Sequence, residues 1–447
     1  MTLHDQLERL AERAEPEAGP TGRELWDRGT RYRRRMRAGT ASIAAVTLLG
    51  LAVLTGVSIG HAGPSPEPVP ADAPAGLPPR IWDPSPWLAG SAEAGPPGQV
   101  ITVIENQLRR SWTTSTYGVV AVSAATGDYR FLDLPRLALG DFTHVALAPD
   151  GRHVAYWTTG SSTGAPNTTS TFDGLPVTGF AVYDVDSGEV RTHSVPTRHG
   201  LRPDTLTWTG PSTFVASYLQ QQGGGREGFA TDGETWVWDV PGDAPVRATE
   251  PSWLSAGSWS IPSSRQVLLT GRRSDRILDG TTLEVLARPP HATHLDYGAG
   301  IAVSPDGTRI AGLWTPGPGT SRSPSPVAVA RLDDTADATR VRSGPSTYVL
   351  VGWTDDDHVA ALGTGGPDGS HSALLEVDVD DGSSRELMVV PNGLAPIQWA
   401  TDLLGSPVVD RPAPPRPLDP RWVTAGLATL VIAGLFSLWG WRRRVRP

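Results

Sequence analysis

The chain contains no cysteine and no lysine. The first absence excludes thiol nucleophiles, disulfides and cysteine-ligated zinc. The second excludes Schiff-base chemistry and the lysine of a P-loop. All 38 basic residues are arginine, which the GC-rich codons of arginine account for without any functional demand. Long helical patterns are also scarce in the middle of the chain. There, 50 glycines and 42 prolines across the 447 residues favour many turns.

Charge is unevenly spread. Residues 1–37 carry a net +2 and residues 442–447 carry +4, which leaves −15 for the middle. An acidic middle between basic ends argues against nucleic-acid binding by the main domain.

Two uncharged apolar stretches stand out. Ala38 to Gly60 follows a run of arginines, Arg31 to Arg37. As a helix it is about 35 Å long, enough for a hydrocarbon core of about 30 Å. The second, Trp422 to Trp441, ends at Arg442-Arg443-Arg444, with Trp439 and Trp441 where an interfacial aromatic belt belongs. Both arginine clusters fall on the same side under the positive-inside rule. The expectation is a two-pass cell-membrane protein with both termini cytoplasmic and the main domain extracytoplasmic. Cleavage of the first stretch as a signal peptide is the alternative, with Gly60-His61-Ala62 as the small-residue site.

The expected division follows. Residues 1–37 form a cytoplasmic tail and 38–60 a transmembrane helix. Residues 61–99 form a Pro/Ala-rich linker, 100–400 the main domain and 401–420 a second linker. Residues 421–441 form a transmembrane helix and 442–447 a basic cytoplasmic tail. In the first tail Leu3, Leu7 and Leu10 share one helix face, and Thr21-Gly22-Arg23-Glu24 has the form of a capping box.

The main domain repeats. Ala148-Pro149-Asp150-Gly151-Arg152-His153-Val154-Ala155 has a partner in Ser304-Pro305-Asp306-Gly307-Thr308-Arg309-Ile310-Ala311. In each, one apolar run enters a Pro-Asp-Gly turn and a second leaves it, the chemistry of a hairpin. Weaker copies begin at Trp208-Thr209-Gly210 and Trp353-Thr354-Asp355. A second hairpin follows the first, as in Tyr183-Asp184-Val185-Asp186-Ser187-Gly188 and Val377-Asp378-Val379-Asp380-Asp381-Gly382. Four-stranded units are expected to start near residues 101, 142, 203, 255, 298 and 347, close to the period of a propeller blade.

These Pro-Asp-Gly hairpins resemble those of the WD40-like, TolB-type propellers, in which a Ser-Pro-Asp-Gly turn recurs in each blade. The resemblance covers roughly residues 100–400 and implies an all-β fold, a β-propeller of six blades, with seven as the alternative. It implies no particular activity.

Several motifs suggest chemistry and have plainer explanations. Gly160-Ser161-Ser162-Thr163-Gly164 fits G-x-S-x-G but precedes a loop and a strand, not a helix. Gly223-Gly224-Gly225-Arg226-Glu227-Gly228 fits G-x-G-x-x-G but lies between two strands. His291, His294 and Asp296 form a candidate metal set without a helix to hold it. Asp184, Asp186 and Glu189, like Asp378, Asp380 and Asp381, resemble parts of a calcium loop but sit where hairpin turns favour Asp and Gly. No metal, cofactor or catalytic set is therefore assigned.

Long insertions recur between the second and third strands of a unit, at 159–178, 221–233, 315–325 and 363–371. Insertions that gather on one face often mark a binding face. Arg226, Arg322 and His371 lie in them, and Arg272 and Arg273 in the equivalent turn of another unit. These five are the candidate binding residues. The functional expectation is a sensor or adaptor that binds a protein, peptide or glycan and meets membrane lipid through its spans. Alternatives are a regulator whose tail binds a cytoplasmic, sigma-factor-like partner, an extracytoplasmic glycan hydrolase or lyase, and a structural role in the envelope.

Overall fold

The computed structural model describes residues 75–445 together with Arg23, Trp26 and Thr30, apart from 110–114, 139–144, 169–170, 173, 224–228, 243, 249–257, 264, 271–274, 290–291, 317–323, 334–337, 343, 367–368, 392–396 and 415–418. The expected first span, the tail leucines and His291 therefore lie outside the described residues. The chain divides into two compact bodies, residues 66–417 and residues 1–65 with 418–447.

The larger body is all-β. Its described strands fall into six antiparallel groups of four. Sheet 1 holds Val100–Arg109, Ser115–Ser123 and Tyr129–Phe131, with Ile397–Trp399 added beside Val100–Arg109. Sheet 2 holds Val145–Leu147, His153–Thr159, Leu175–Asp184 and Val190–Ser194, and sheet 3 holds Leu201–Trp208, Thr213–Gln222, Phe229–Asp239 and Val246–Arg247. One pair, Val177 with Leu201, joins sheets 2 and 3 into a single nine-stranded sheet that also includes the short strand Thr171–Phe172. Sheet 4 spans Ser258 to Ala287, sheet 5 Leu295 to Arg340 and sheet 6 Thr347 to Val390. These limits lie close to the starts expected from the repeats. Sheet 1 differs in one respect, because its first position is filled by the C-terminal strand Ile397–Trp399.

The Pro-Asp-Gly turns form as their chemistry dictates. Gly151 adopts φ 72°, and a Cβ there would lie 2.1 Å from the carbonyl oxygen of Val100 on sheet 1. Only glycine allows both the left-handed conformation and that approach. The Asp150 carboxylate accepts the Arg152 N–H at 3.0 Å and closes the turn. Val100 N–H in turn donates to Gly151 O at 2.9 Å, so the turn ties sheet 2 to sheet 1.

Alternation along the strands buries both faces of the sheets against their neighbours. Trp157, Phe180, Phe214 and Trp238 pack edge-on or tilted between sheets 2 and 3, with ring centroids 5.7–6.1 Å apart along this chain of contacts. A second joint recurs between sheets. Trp208, at the end of the first strand of sheet 3, donates its Nε1–H to Ala146 O of sheet 2 at 2.9 Å and stacks on His153 at 5.7 Å. Trp353 of sheet 6 does the same to sheet 5, donating to Ala302 O at 3.0 Å with the Arg309 guanidinium 5.5 Å over its ring. The repeated Trp and the His or Arg three residues after Asp are thus one structural device.

Part of the expected first linker is packed structure. From Gly76 to Leu88 the chain forms a strap along sheets 6 and 1. Ile81 N–H donates to Val389 O at 2.8 Å, Val389 N–H to Pro79 O at 3.0 Å and Phe131 N–H to Ala89 O at 3.1 Å. Leu77, Ile81 and Leu88 are buried. Leu77 also pairs in parallel with Val408, so both ends of the β-body meet. The composition of this stretch suggested a spacer; three spaced apolar side chains and long-range backbone pairing fix it instead.

In the other body, a helix runs from Pro420 to Val445. Asp419 starts it: its side chain accepts the Arg421 N–H at 2.9 Å, and Pro420 occupies the first turn, where no amide hydrogen is needed. Trp422, Leu430, Ile432, Leu435, Phe436 and Trp439 are exposed. Over the residues whose side chains are described, no helix is long and apolar enough to cross a membrane.

Candidate functional site

The strand directions give the β-body two unlike faces. One carries the Pro-Asp-Gly turns and the Asp-headed turns between third and fourth strands. There Asp184 accepts the Asp186 and Ser187 N–H groups at 2.9 and 2.8 Å, and Asp378 accepts those of Asp380 and Asp381 at 2.8 and 3.0 Å. These carboxylates cap turns and do not form calcium loops. Among the described residues no group of three or more His, Asp or Glu is placed to hold a metal.

The other face carries the loops between second and third strands, where the long insertions fall. In the loop of sheet 2, Thr163 and Gly164 N–H groups donate to Thr197 and Arg198 O at 3.1 and 2.8 Å, and Asn167 N–H donates to His199 O at 2.8 Å. The G-x-S-x-G match lies in this pinned loop, and its Ser162 Oγ donates to Gly164 O at 2.8 Å. No strand-to-helix elbow forms.

Of the five candidate binding residues, His371 is described. It opens the third strand of sheet 6, and its Nε2 lies 2.9 Å from Glu386 Oε2. Arg226, Arg272, Arg273 and Arg322 lie outside the described residues. His294 does not join Asp296: its ring stacks on Trp314 and contacts Thr315 O at 3.1 Å, while Asp296 accepts the Gly298 N–H at 3.0 Å.

A concave site lies at the centre. The first strands of neighbouring sheets touch one another, as Ile397–Trp399 touches Val145–Leu147, which touches Leu201–Trp208. Around their common axis is a cavity of about 250 Å³. Its walls include Leu206, Trp208, Ile261, Val349, Leu362 and Trp399, so sheets 1, 2, 3 and 6 and the turn after the first strand of sheet 4 all contribute. Val349 is 43% exposed.

The cavity is blind. A 3₁₀ turn, Thr401–Leu403, follows the last strand and crosses the axis at the face of the Pro-Asp-Gly turns. Thr401 Oγ1 donates to Pro262 O of sheet 4 at 2.7 Å, and Asp402 N–H donates to Pro149 O of sheet 2 at 3.0 Å. Leu404 and Thr401 also pack on Gly352 of sheet 6. That end is closed by described residues, and Val349 and Leu362 of sheet 6 line the cavity toward the loop face. Gln398 braces the wall: its Oε1 accepts the Leu147 N–H at 2.8 Å and its Nε2 donates to Val145 O.

The plug fell within the expected second linker, 401–420. The sequence did carry one signal for it. Trp399 occupies the place of Trp208 and Trp353 in the repeat, so the residues after it belong to a first-to-second-strand turn.

No family model and no curated protein matches this chain. Structural similarity is found to TolB from Acinetobacter baumannii, with 16% identity over 68% of this chain and 70% of that one and a TM-score of 0.34. It is also found to an oligogalacturonate lyase from Vibrio parahaemolyticus, with 13% identity over 59% and 74% and a TM-score of 0.35. A third is a putative TolB from Agrobacterium tumefaciens, with 15% identity over 68% and 99% and a TM-score of 0.33. Scores this low carry no argument about this chain, and the all-β character of the larger body rests on its own strands.

Proposed function

We propose that the chain is a membrane-tethered, six-bladed propeller that acts outside the cytoplasm as a binding module, a sensor or adaptor without catalysis of its own. Six blades are supported by the six groups of four strands and by the C-terminal strand that completes sheet 1. The tether is supported by the capped helix Pro420–Val445, its exposed apolar side chains and the arginines that end it. The helix has 26 residues and is about 39 Å long.

The observation that carries the binding reading is the blind axial cup. Its described walls are apolar or neutral, and Thr401–Leu403 closes it at the face opposite the insertions. Concave, largely apolar sites with few polar groups are the usual form of binding sites. A hydrolase or lyase needs carboxylates or a metal at the reacting bond. The described wall offers Leu206, Ile261 and Val349 in their place.

The test is site-specific photocrosslinking in intact cells. A photoreactive residue at Tyr117 or Leu175, both exposed on the loop face, is expected to give discrete adducts. One at Asp381, exposed on the turn face, is expected to give none. Equal labelling from both faces counts against the reading. Reporter fusions after Pro447 that are active only outside the cell overturn the topology.

A further inference from the structure

We propose that the axial cup binds a small, neutral, apolar molecule. This rests on the reading of the propeller as a binding module and adds the class of ligand.

Charge decides the first part. The described wall holds no Asp, Glu, His or Arg. A charged ligand entering it leaves its hydration behind and meets no opposite charge, which is strongly unfavourable. Polar ligands fare little better, because the polar wall groups already have partners. The Gln398 amide bridges to Leu147 and Val145, Thr401 Oγ1 donates to Pro262 O, and Trp208 Nε1–H donates to Ala146 O. Trp399 Nε1–H is the exception, unpaired but itself buried.

Size decides the second part. The cup measures about 250 Å³, below the roughly 300–1,000 Å³ of pockets for drug-sized ligands. An apolar cavity of about 150 Å³ holds benzene, so a molecule of about six to ten carbons suits this one.

Depth favours a free molecule as the occupant of the sheet 3 side of the cup. On sheet 3 the lining residues are Leu206, Thr207 and Trp208, at the turn-face end of Leu201–Trp208. They begin five residues below the loop-face end of that strand, or about 16 Å at about 3.3 Å per residue. A side chain projecting from a partner seated on the loop face reaches Val349, two residues into Thr347–Trp353, but falls short of the sheet 3 wall. A freely diffusing molecule does not.

The experiment uses the full chain in lipid nanodiscs and fluorobenzene as probe, read by ¹⁹F NMR, with empty nanodiscs to subtract lipid partitioning. Saturable broadening is expected, competed by toluene and at least tenfold less well by benzoate. Leu206→Trp and Val349→Trp fill the cup and are expected to abolish the saturable signal. Val349→Phe, a milder filling, is expected to weaken it about tenfold and serves if the larger variants fail to fold. Absence of saturable binding, equal competition by benzoate, or a signal that survives filling in folded variants overturns the proposal. Loop-face crosslinks that persist without fluorobenzene binding overturn the ligand and leave the binding module standing. Loss of those crosslinks in Val349→Trp, again without fluorobenzene binding, makes the cup a seat for a partner's own residues and overturns the small molecule.

Discussion

The joint between sheets 2 and 3 and the joint between sheets 6 and 1 solve the same problem in different ways. In the first, Trp208 reaches across to Ala146 O and lies against His153. In the second, Trp399 holds the equivalent place, yet its Nε1–H finds no acceptor. The register between the first two strands of sheet 6 shifts at Leu350–Gly352, around Val351, whose carbonyl corresponds in the repeat to that of Ala146. What closes this joint is the chain's own ends. The strap Gly76–Leu88 spans the outer strands of sheets 6 and 1, and Ile397–Trp399 completes sheet 1 from within. A repeat-encoded joint can be copied from sheet to sheet, whereas the closing joint happens once and needs segments outside the repeat.

The largest expected effect breaks the repeat-encoded joint. Trp208 is 1% exposed, and Trp208→Ala removes a buried ring, a hydrogen bond and a stacking contact. A loss of about 3–5 kcal/mol is expected, measured by chemical denaturation followed by far-UV circular dichroism. A loss below about 1 kcal/mol removes the joint from the account. The closing joint is tested by Ile81→Ala, a fully buried strap residue, with an expected loss of about 2–5 kcal/mol. Limited proteolysis sharpens the comparison: cleavage between residues 75 and 95 is expected to speed up in Ile81→Ala and not in Trp208→Ala.

A subtler pair isolates the indole N–H. Trp208→Phe keeps an aromatic ring but leaves Ala146 O without its donor, at an expected cost of about 1–3 kcal/mol. Trp399→Phe deletes a donor that has no partner, so its hydrogen-bond cost is expected to be near zero. Equal losses in the two variants mean that ring volume alone matters and that the joints do not differ in this respect.

The same contrast explains what was legible in the sequence. Pro149-Asp150-Gly151 and Ser304-Pro305-Asp306-Gly307 announce hairpins because the turn chemistry is local, and the spacing of the units follows from them. The strap is not announced. Leu77, Ile81 and Leu88 lie among prolines that bar both a helix and a regular strand, and the order of the first two comes from backbone pairing with residues about 300 positions away. The plug Thr401–Leu403 is hidden for the same reason, since a three-residue turn gains meaning only from Pro149 and Pro262 across the axis. The candidate site was half legible. Loop insertions pointed to a face, but the cup is built from Leu206, Ile261, Val349 and Trp399, apolar residues that read as ordinary core until the strands are placed around an axis.

The smallest expected effect concerns the cation position itself. His153, Arg309 and His358 occupy it in sheets 2, 5 and 6. Of these, His358 is the one whose environment sets its charge within the physiological range. His358 Nδ1 lies 2.8 Å from Asp355 Oδ1, and that hydrogen bond holds the imidazole pKa above its ordinary value, aided by the charges of Asp355, Glu376 and Asp378 and opposed by partial burial. Arg385, the other cation at this cluster, is paired with Glu376. A group whose pKa is raised on folding stabilises the folded chain fully below its unfolded pKa of about 6.5 and loses that contribution as pH rises through the folded value. The chain is therefore expected to lose a small increment of thermal stability between pH 6 and pH 8. His358 is 36% exposed, so solvent screening keeps the increment to a few tenths of a kcal/mol. His358→Gln is expected to flatten that part of the pH profile, and Arg309→Gln to lower stability equally at both pH values. A profile unchanged by His358→Gln assigns the pH dependence to other groups and leaves the cation position a matter of packing.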